Sequence, residues 1–307
     1  MLKFYTNTWG ACIRLDVETL RNPQVQDFSK QNFISLKFNA NEDVGYDYFK
    51  QYKCQGVPHL VFLDADGIEV DRIIGFLPPS EYLLRIKDIA NKKNTLNDFL
   101  ARYEKGERNS EIIAAIAMKY EDRKNSEKAA EFYSILINEY ADEESDYNDQ
   151  GKFFLATHAF NNGNELALKK YIENNSNSKF QLSAYKKMIF YYVDSDQLEK
   201  ELSIHNEMIE KFSNDPSVLN SYSWRMAELE MNLEDALIKI KKAIVMTHND
   251  PRQANIIDTE AEILWKLKRY DDAIKSIEGA ILIEPNNEYF KDQKEKFLET
   301  KKQLKSV

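Results

Sequence analysis

A chain of 307 residues that is 43% hydrophobic and 12% aromatic carries enough apolar side chains for two cores, so two folded domains are expected. No run approaches the roughly 20 consecutive apolar residues of a membrane span, and the start leads into a short strand rather than a basic segment with an apolar run. The net charge of -9 lies entirely after residue 93, since residues 1–93 hold 12 basic and 12 acidic side chains; an acidic surface repels phosphate backbones and anionic lipid, which disfavours nucleic acid and membrane surfaces and leaves a protein or peptide ligand.

The first stretch, "LKFY", favours a strand. It runs into "TNTWGACIRLD" (Thr6–Asp16), which poses the question of a thiol site. "FISLKF" (Phe33–Phe38) and "HLVFLD" (His59–Asp64) are short apolar runs read as strands, and "VGYDYFKQY" (Val44–Tyr52) between them spaces its aromatics as a helix does. "DADG" (Asp64–Gly67) is a hairpin turn, and Ile68–Phe76 alternates as the partner strand. Pro78-Pro79-Ser80-Glu81 then opens a helix with Tyr82, Leu83, Ile86 and Ile89 on one face. The order strand, helix, strand, helix, strand, strand, helix predicts a mixed sheet with helices on both faces.

From about residue 94 strand signals stop, and "NKKNTLND" (Asn91–Asp98) stands between linker and helix start. A repeat follows. Leu233–Pro251 and Tyr270–Glu288 place Ala236 and Ala243 against Ala273 and Ala280, a period of 37 residues, and each is preceded by a helix of matching length. The small residues let paired helices approach, while Tyr222, Trp224, Trp265 and Tyr270 fill the spaces. Weaker copies at 111–140, 151–174 and 181–212 bring the count to five antiparallel helix pairs, with Tyr289–Leu304 as a capping helix. The expected fold class is α+β and multi-domain: residues 1–93 are α/β, and 94–307 form an all-α helical-repeat array.

Two cysteines, Cys12 and Cys54, cannot make a disulfide framework, and four scattered histidines lack ligand spacing, so no metal and no cofactor is expected. No Gly-rich phosphate loop, Ser-His-Asp order or paired-carboxylate motif stands out.

The helix pairs resemble tetratricopeptide repeats, most specifically over residues 217–288, where "DDAI" and "GAILIEPNN" follow the family's second helix through its terminal proline. Asn220 and Ile257 stand where the family has Trp, and Trp224 and Ala261 where it has Gly. Residues 1–92 resemble a thioredoxin-like domain through "CIRLDVETL", "QYKCQGVPHLVFLDADG" and "DRIIGF". That resemblance implies a cis Val57-Pro58 bond facing the active site. One alignment puts Cys12 at the second cysteine of the family's Trp-Cys-x-x-Cys motif, Trp9 at the first and Thr8 at the tryptophan; the other keeps Trp9 as the motif tryptophan. Neither restores a second cysteine. Lys3 occupies the place of a buried Asp that assists proton transfer, Cys54 a core position, and His59 an exposed place on the groove.

The resemblance implies a bacterial protein-binding scaffold whose thioredoxin-like domain lacks its nucleophilic cysteine. The alternative is a thiol-disulfide oxidoreductase, or a chaperone-associated redox protein, acting through the single thiol Cys12. A first groove would involve Trp9, Val57, Pro58 and His59. A second surface, the inner wall formed by the first helix of each pair, would present Asn220, Ser223, Arg225, Asn255, Asp258 and Glu262. As it stands the chain reads as soluble and cytoplasmic, or periplasmic if a leader precedes it.

Overall fold

The computed structural model describes residues 1–141 and 145–305, which fall into two compact units, Met1–Gln181 and Leu182–Val307. In the first unit, strands β1 (Leu2–Tyr5), β2 (Leu36–Asn39), β3 (His59–Leu63) and β4 (Glu69–Ile74) form one sheet in the order β2-β1-β3-β4. The β1 and β2 pair is parallel, while β1 with β3 and β3 with β4 are antiparallel.

The period-two alternation of the strands builds two cores. Leu2, Phe4 and Val61 pack on one face with Phe38, Phe49 and Tyr52. Leu60, Phe62 and Ile73 pack on the other with Leu15, Val25, Tyr82, Ile86 and Ile89. Helix α3 (Asp43–Gln51) covers the first face; α1 (Gly10–Arg14), a π-helical turn at Leu15–Thr19, α2 (Pro23–Asn32) and α4 (Pro79–Ala90) cover the second.

Strand β2 begins three residues later than its apolar run suggests. Phe33 ends α2, its N–H donating to the Ser29 carbonyl at 2.9 Å, and its ring packs edge-on against Phe62. That side chain is spent on the core before the strand starts.

Gly45 lets α3 approach the sheet. A Cβ there would lie 1.9 Å from the Asn39 carbonyl oxygen, a backbone atom that cannot move alone. Gly45→Ala is therefore expected to destabilise the first unit by about 1–3 kcal/mol, the usual cost of overpacking, read as a lowered urea midpoint with native-like secondary structure retained below it.

Asn91–Asn94 form a turn with Lys92 and Asn94 in the left-handed region, and Thr95 caps the next helix, its Oγ1 accepting from the Asp98 N–H at 3.3 Å. This helix, α5 (Leu96–Glu104), precedes the repeats. The first unit continues with α6 (Ser110–Asp122) and α7 (Ser126–Glu139), then α8 (Asp146–Asn161) and α9 (Leu166–Asn174). Asn109, Asn125 and Ser145 cap α6, α7 and α8 through their side chains, which fixes where each helix starts.

From Leu182 the second unit holds most of α10 (Gln181–Asp194), α11 (Leu198–Lys211), α12 (Pro216–Leu229), α13 (Leu233–Met246), α14 (Gln253–Lys266), α15 (Tyr270–Ile283) and α16 (Glu288–Lys305). Among the described residues, α6 packs on α7, α8 on α9, α12 on α13 and α14 on α15, and α16 packs on α15. Ala236, Ala243, Ala273 and Ala280 are fully buried, as their role in close helix approach requires.

Candidate functional site

Trp9 is the N-cap of α1, its carbonyl accepting from the N–H groups of Cys12 at 2.9 Å and Ile13 at 3.2 Å. The indole is 59% exposed, whereas Cys12, one turn into the helix, is only 2% exposed. Ile13 and Val17 follow at four-residue spacing and are also exposed. Both cysteines are free thiols. The Val57-Pro58 bond is cis, Val57 is half-buried and Pro58 is buried.

Lys3 is buried and forms an ion pair with Asp16, which also accepts from Lys37 Nζ at 3.1 Å. Burial works against the Asp16 carboxylate, but the two lysines more than offset it and hold its pKa below the usual range. For Lys3 burial wins and lowers the ammonium's pKa, although Asp16 and, more weakly, Cys12 oppose it.

His59 corrects an expectation. The resemblance sets it on the groove as an exposed side chain, yet it is fully buried, because it starts the central strand β3 opposite Phe4 of β1 and Ile74 of β4. Its Nδ1 accepts from the Gln55 N–H at 3.5 Å, and its Nε2 has no hydrogen-bond partner. Burial first, and then the Arg72 guanidinium, push its pKa down to about 3, so the ring is neutral at ordinary pH. Burial pushes the Cys54 thiol up to about 12, with Arg72 opposing, so Cys54 is not a nucleophile at ordinary pH.

In the second unit the first-helix positions divide. Asn255 is exposed, and Asn220 is half-buried with its amide oxygen unpartnered. Ser223 is fully buried and donates to the Ala236 carbonyl at 3.1 Å, tying α12 to α13 where alanine leaves room. Arg225 clasps the buried Glu201 of α11 through Nε at 2.6 Å and Nη2 at 3.0 Å, and reaches Glu228 at 3.2 Å. Asp258 is buried and accepts from the Tyr289 hydroxyl of α16 at 3.3 Å; burial raises its pKa to about 6. Glu262 accepts from Lys296 Nζ of α16 at 2.7 Å. Of the six expected wall residues, Ser223 and Asp258 therefore serve helix packing rather than an open surface.

Sequence reasoning missed a charge cluster in the first unit. Asp71 of β4, buried, accepts from Lys119 Nζ at 2.7 Å and Arg123 Nη2 at 3.1 Å, and pairs with Arg85. Neighbouring Arg72 donates to Glu69 at 2.8 Å, to the Tyr52 carbonyl at 3.1 Å and to the Asp122 carbonyl at 2.8 Å. Burial disfavours the Asp71 carboxylate, but Lys119, Arg85 and Arg123 prevail and hold its pKa low. The available signal was Lys119 and Arg123, four residues apart at the end of a helix whose Ile112–Met118 stretch is apolar.

The fold defines a thioredoxin-like domain fused to tetratricopeptide-type helical repeats. Residues 1–90 match the family model of the thioredoxin-like domain. Over 92 residues the chain is 27% identical to the thiol:disulfide interchange protein DsbD of Tatumella citrea, a match covering 29% of this chain and 16% of that relative. Among solved structures, the C-terminal part of a TPR repeat-containing protein from Cytophaga hutchinsonii aligns with TM-score 0.51 and 13% identity, over 70% of this chain and 81% of its own. YrrB, described as a TPR protein with an unusual peptide-binding site, aligns with TM-score 0.43 and 15% identity, over 64% of this chain and 97% of its own. Among the described residues, no helix is long and apolar enough to cross a membrane.

Proposed function

We propose that this chain is a protein-binding scaffold, in which the repeats take a peptide or protein ligand and the thioredoxin-like domain performs no dithiol exchange. The observation that carries the reading is the helix N-cap. An attacking thiol draws its reactivity from that position; here it is filled by an exposed tryptophan, and Cys12 sits a turn deeper and buried. An exposed indole is a strong anchor for a protein partner, and Arg225, Asn255 and Glu262 offer polar contacts on the first helices. One observation favours a second reading, a one-thiol redox protein: over 92 residues the chain is 27% identical to a thiol:disulfide interchange protein.

Two assays on the full chain separate these readings. In the first, native protein is labelled with a thiol reagent and weighed, and insulin reduction by dithiothreitol is followed with wild type and Cys12→Ser. Slow labelling and no acceleration by either protein are expected; acceleration that depends on Cys12 would establish the redox reading instead. In the second, peptides selected from a displayed random library are expected to lose about tenfold in affinity, or about 1.4 kcal/mol, in Asn255→Lys or Arg225→Glu. Unchanged binding in both variants would overturn the assignment of the ligand to the first helices.

A further inference from the structure

We infer that the free edge of β2 is a docking site for an extended peptide strand in which acidic and apolar side chains alternate. This site lies in the thioredoxin-like domain and is independent of the ligand proposed for the repeats.

The sheet has two edges and treats them differently. The β4 edge is closed by the Arg72 and Asp122 contact and by α5. Among the described residues, β2 pairs only with β1. The Leu36 N–H donates to the Met1 carbonyl at 2.9 Å and the Ala40 N–H to the Tyr5 carbonyl at 2.8 Å, both toward β1. By alternation, the backbone N–H groups of Ser35 and Lys37 point away from the sheet, while α3 stands against the Asn39 backbone through Gly45. Such an edge is a template for another strand.

The flanks specify what that strand carries. Leu36 shares a face with Leu2 and is 51% exposed, and Ile34, two residues before it, is 85% exposed, so apolar side chains of the incoming strand have partners there. On the opposite face, beside α2, a cavity of about 540 Å³ opens next to β2 over Leu20, Val25 and Phe33. Its other lining residues include Lys3, Lys30 and Lys37 against the single carboxylate of Asp16. Asp16 is already shared between Lys3 and Lys37, and the exposed Lys30 stands apart from it. An excess of cations on one face and bare aliphatics on the other match a strand with alternating acidic and apolar residues. A second copy of this chain fits less well, because pairing β2 with β2 brings the Lys37 side chains of both copies to the same seam.

The test is fluorescence anisotropy with a labelled peptide alternating glutamate and valine, and with its counterpart carrying lysine for glutamate. The full chain is expected to bind the first and not the second, with about tenfold weaker binding in Lys30→Glu. Lys37→Pro removes an outward N–H and leaves the inward ladder intact, so it is expected to abolish binding. Hydrogen exchange on wild type supplies a readout independent of any variant's folding: the Ser35 and Lys37 amides are expected to gain protection when the peptide is added. Equal binding of both peptides, unchanged exchange at these amides, or a β2-mediated dimer in sedimentation that excludes the peptide would overturn the proposal.

Discussion

Asp71→Ala is expected to cost the first unit about 3–5 kcal/mol, the range seen when a buried ion pair loses one partner. The Asp71 carboxylate is nearly inaccessible, yet Lys119, Arg123 and Arg85 converge on it from α6, its C-cap and α4. Removing it leaves three cations around a desolvated pocket, with Glu69 still answering Arg72 and Arg123. Asp71→Asn keeps the shape and loses the charge, so its loss should be of similar size; a cost below about 1 kcal/mol, typical of exposed pairs, would show that the cluster is hydrated and weak. Urea denaturation followed by tyrosine fluorescence checks this. The double variant Asp71→Leu with Lys119→Met should recover part of the loss, because two apolar groups replace an expensive pair.

Acid should unfold the same unit earlier than its carboxylates alone predict, and His59 is the reason. Its folded pKa, pushed down to about 3, lies below the usual value of about 6.5. The neutral ring's contribution is therefore fully present above about pH 6.5 and is lost as pH falls, since the unfolded chain binds the proton first. At pH 4.5 the linkage amounts to about 2.5 kcal/mol. His59→Phe keeps a planar ring at the position and cannot titrate. Its stability at pH 7 should stay within about 1.5 kcal/mol of wild type, while its decline between pH 6.5 and 4.5 should be shallower by about that 2.5 kcal/mol. Parallel declines in the two proteins would mean that His59 is hydrated and titrates normally. His205 shifts in the same direction in the second unit, chiefly by burial, so the transition of that unit serves as an internal comparison.

Much of this architecture was legible because its signals are local. The alternating runs before and after Asp64–Gly67 gave β3 and β4, Pro79 and Ser80 gave the start of α4, and the alanines at period 37 gave the pairs α12 with α13 and α14 with α15. What escaped depends on pairing between distant residues. Asp71 reads as the polar phase of a half-exposed strand until α6 supplies Lys119 across it. His59 reads as a groove residue until the order β2-β1-β3-β4 puts β3 in the middle of the sheet. Ser223 and Asp258 lie on the correct helices, but one side of a first helix faces its partner helix and another the next repeat, and the polarity of a side chain does not distinguish them. Trp9 was singled out by the resemblance to the family motif, but its exposure was not legible and follows from its place at the N-cap of α1.

The seam between β4 and α6 also constrains how such a protein is inherited. The aspartate belongs to the stretch that matches the thioredoxin-like family, and two of its three cations belong to the helices beyond it. Recombination that moved residues 1–90 onto another repeat array would deliver a buried acid with only Arg85 to answer it, and the abandoned array would keep two cations without their acid. Neither half is a free module. Lineages carrying this fusion should therefore exchange both parts together or change both sides of the seam in step.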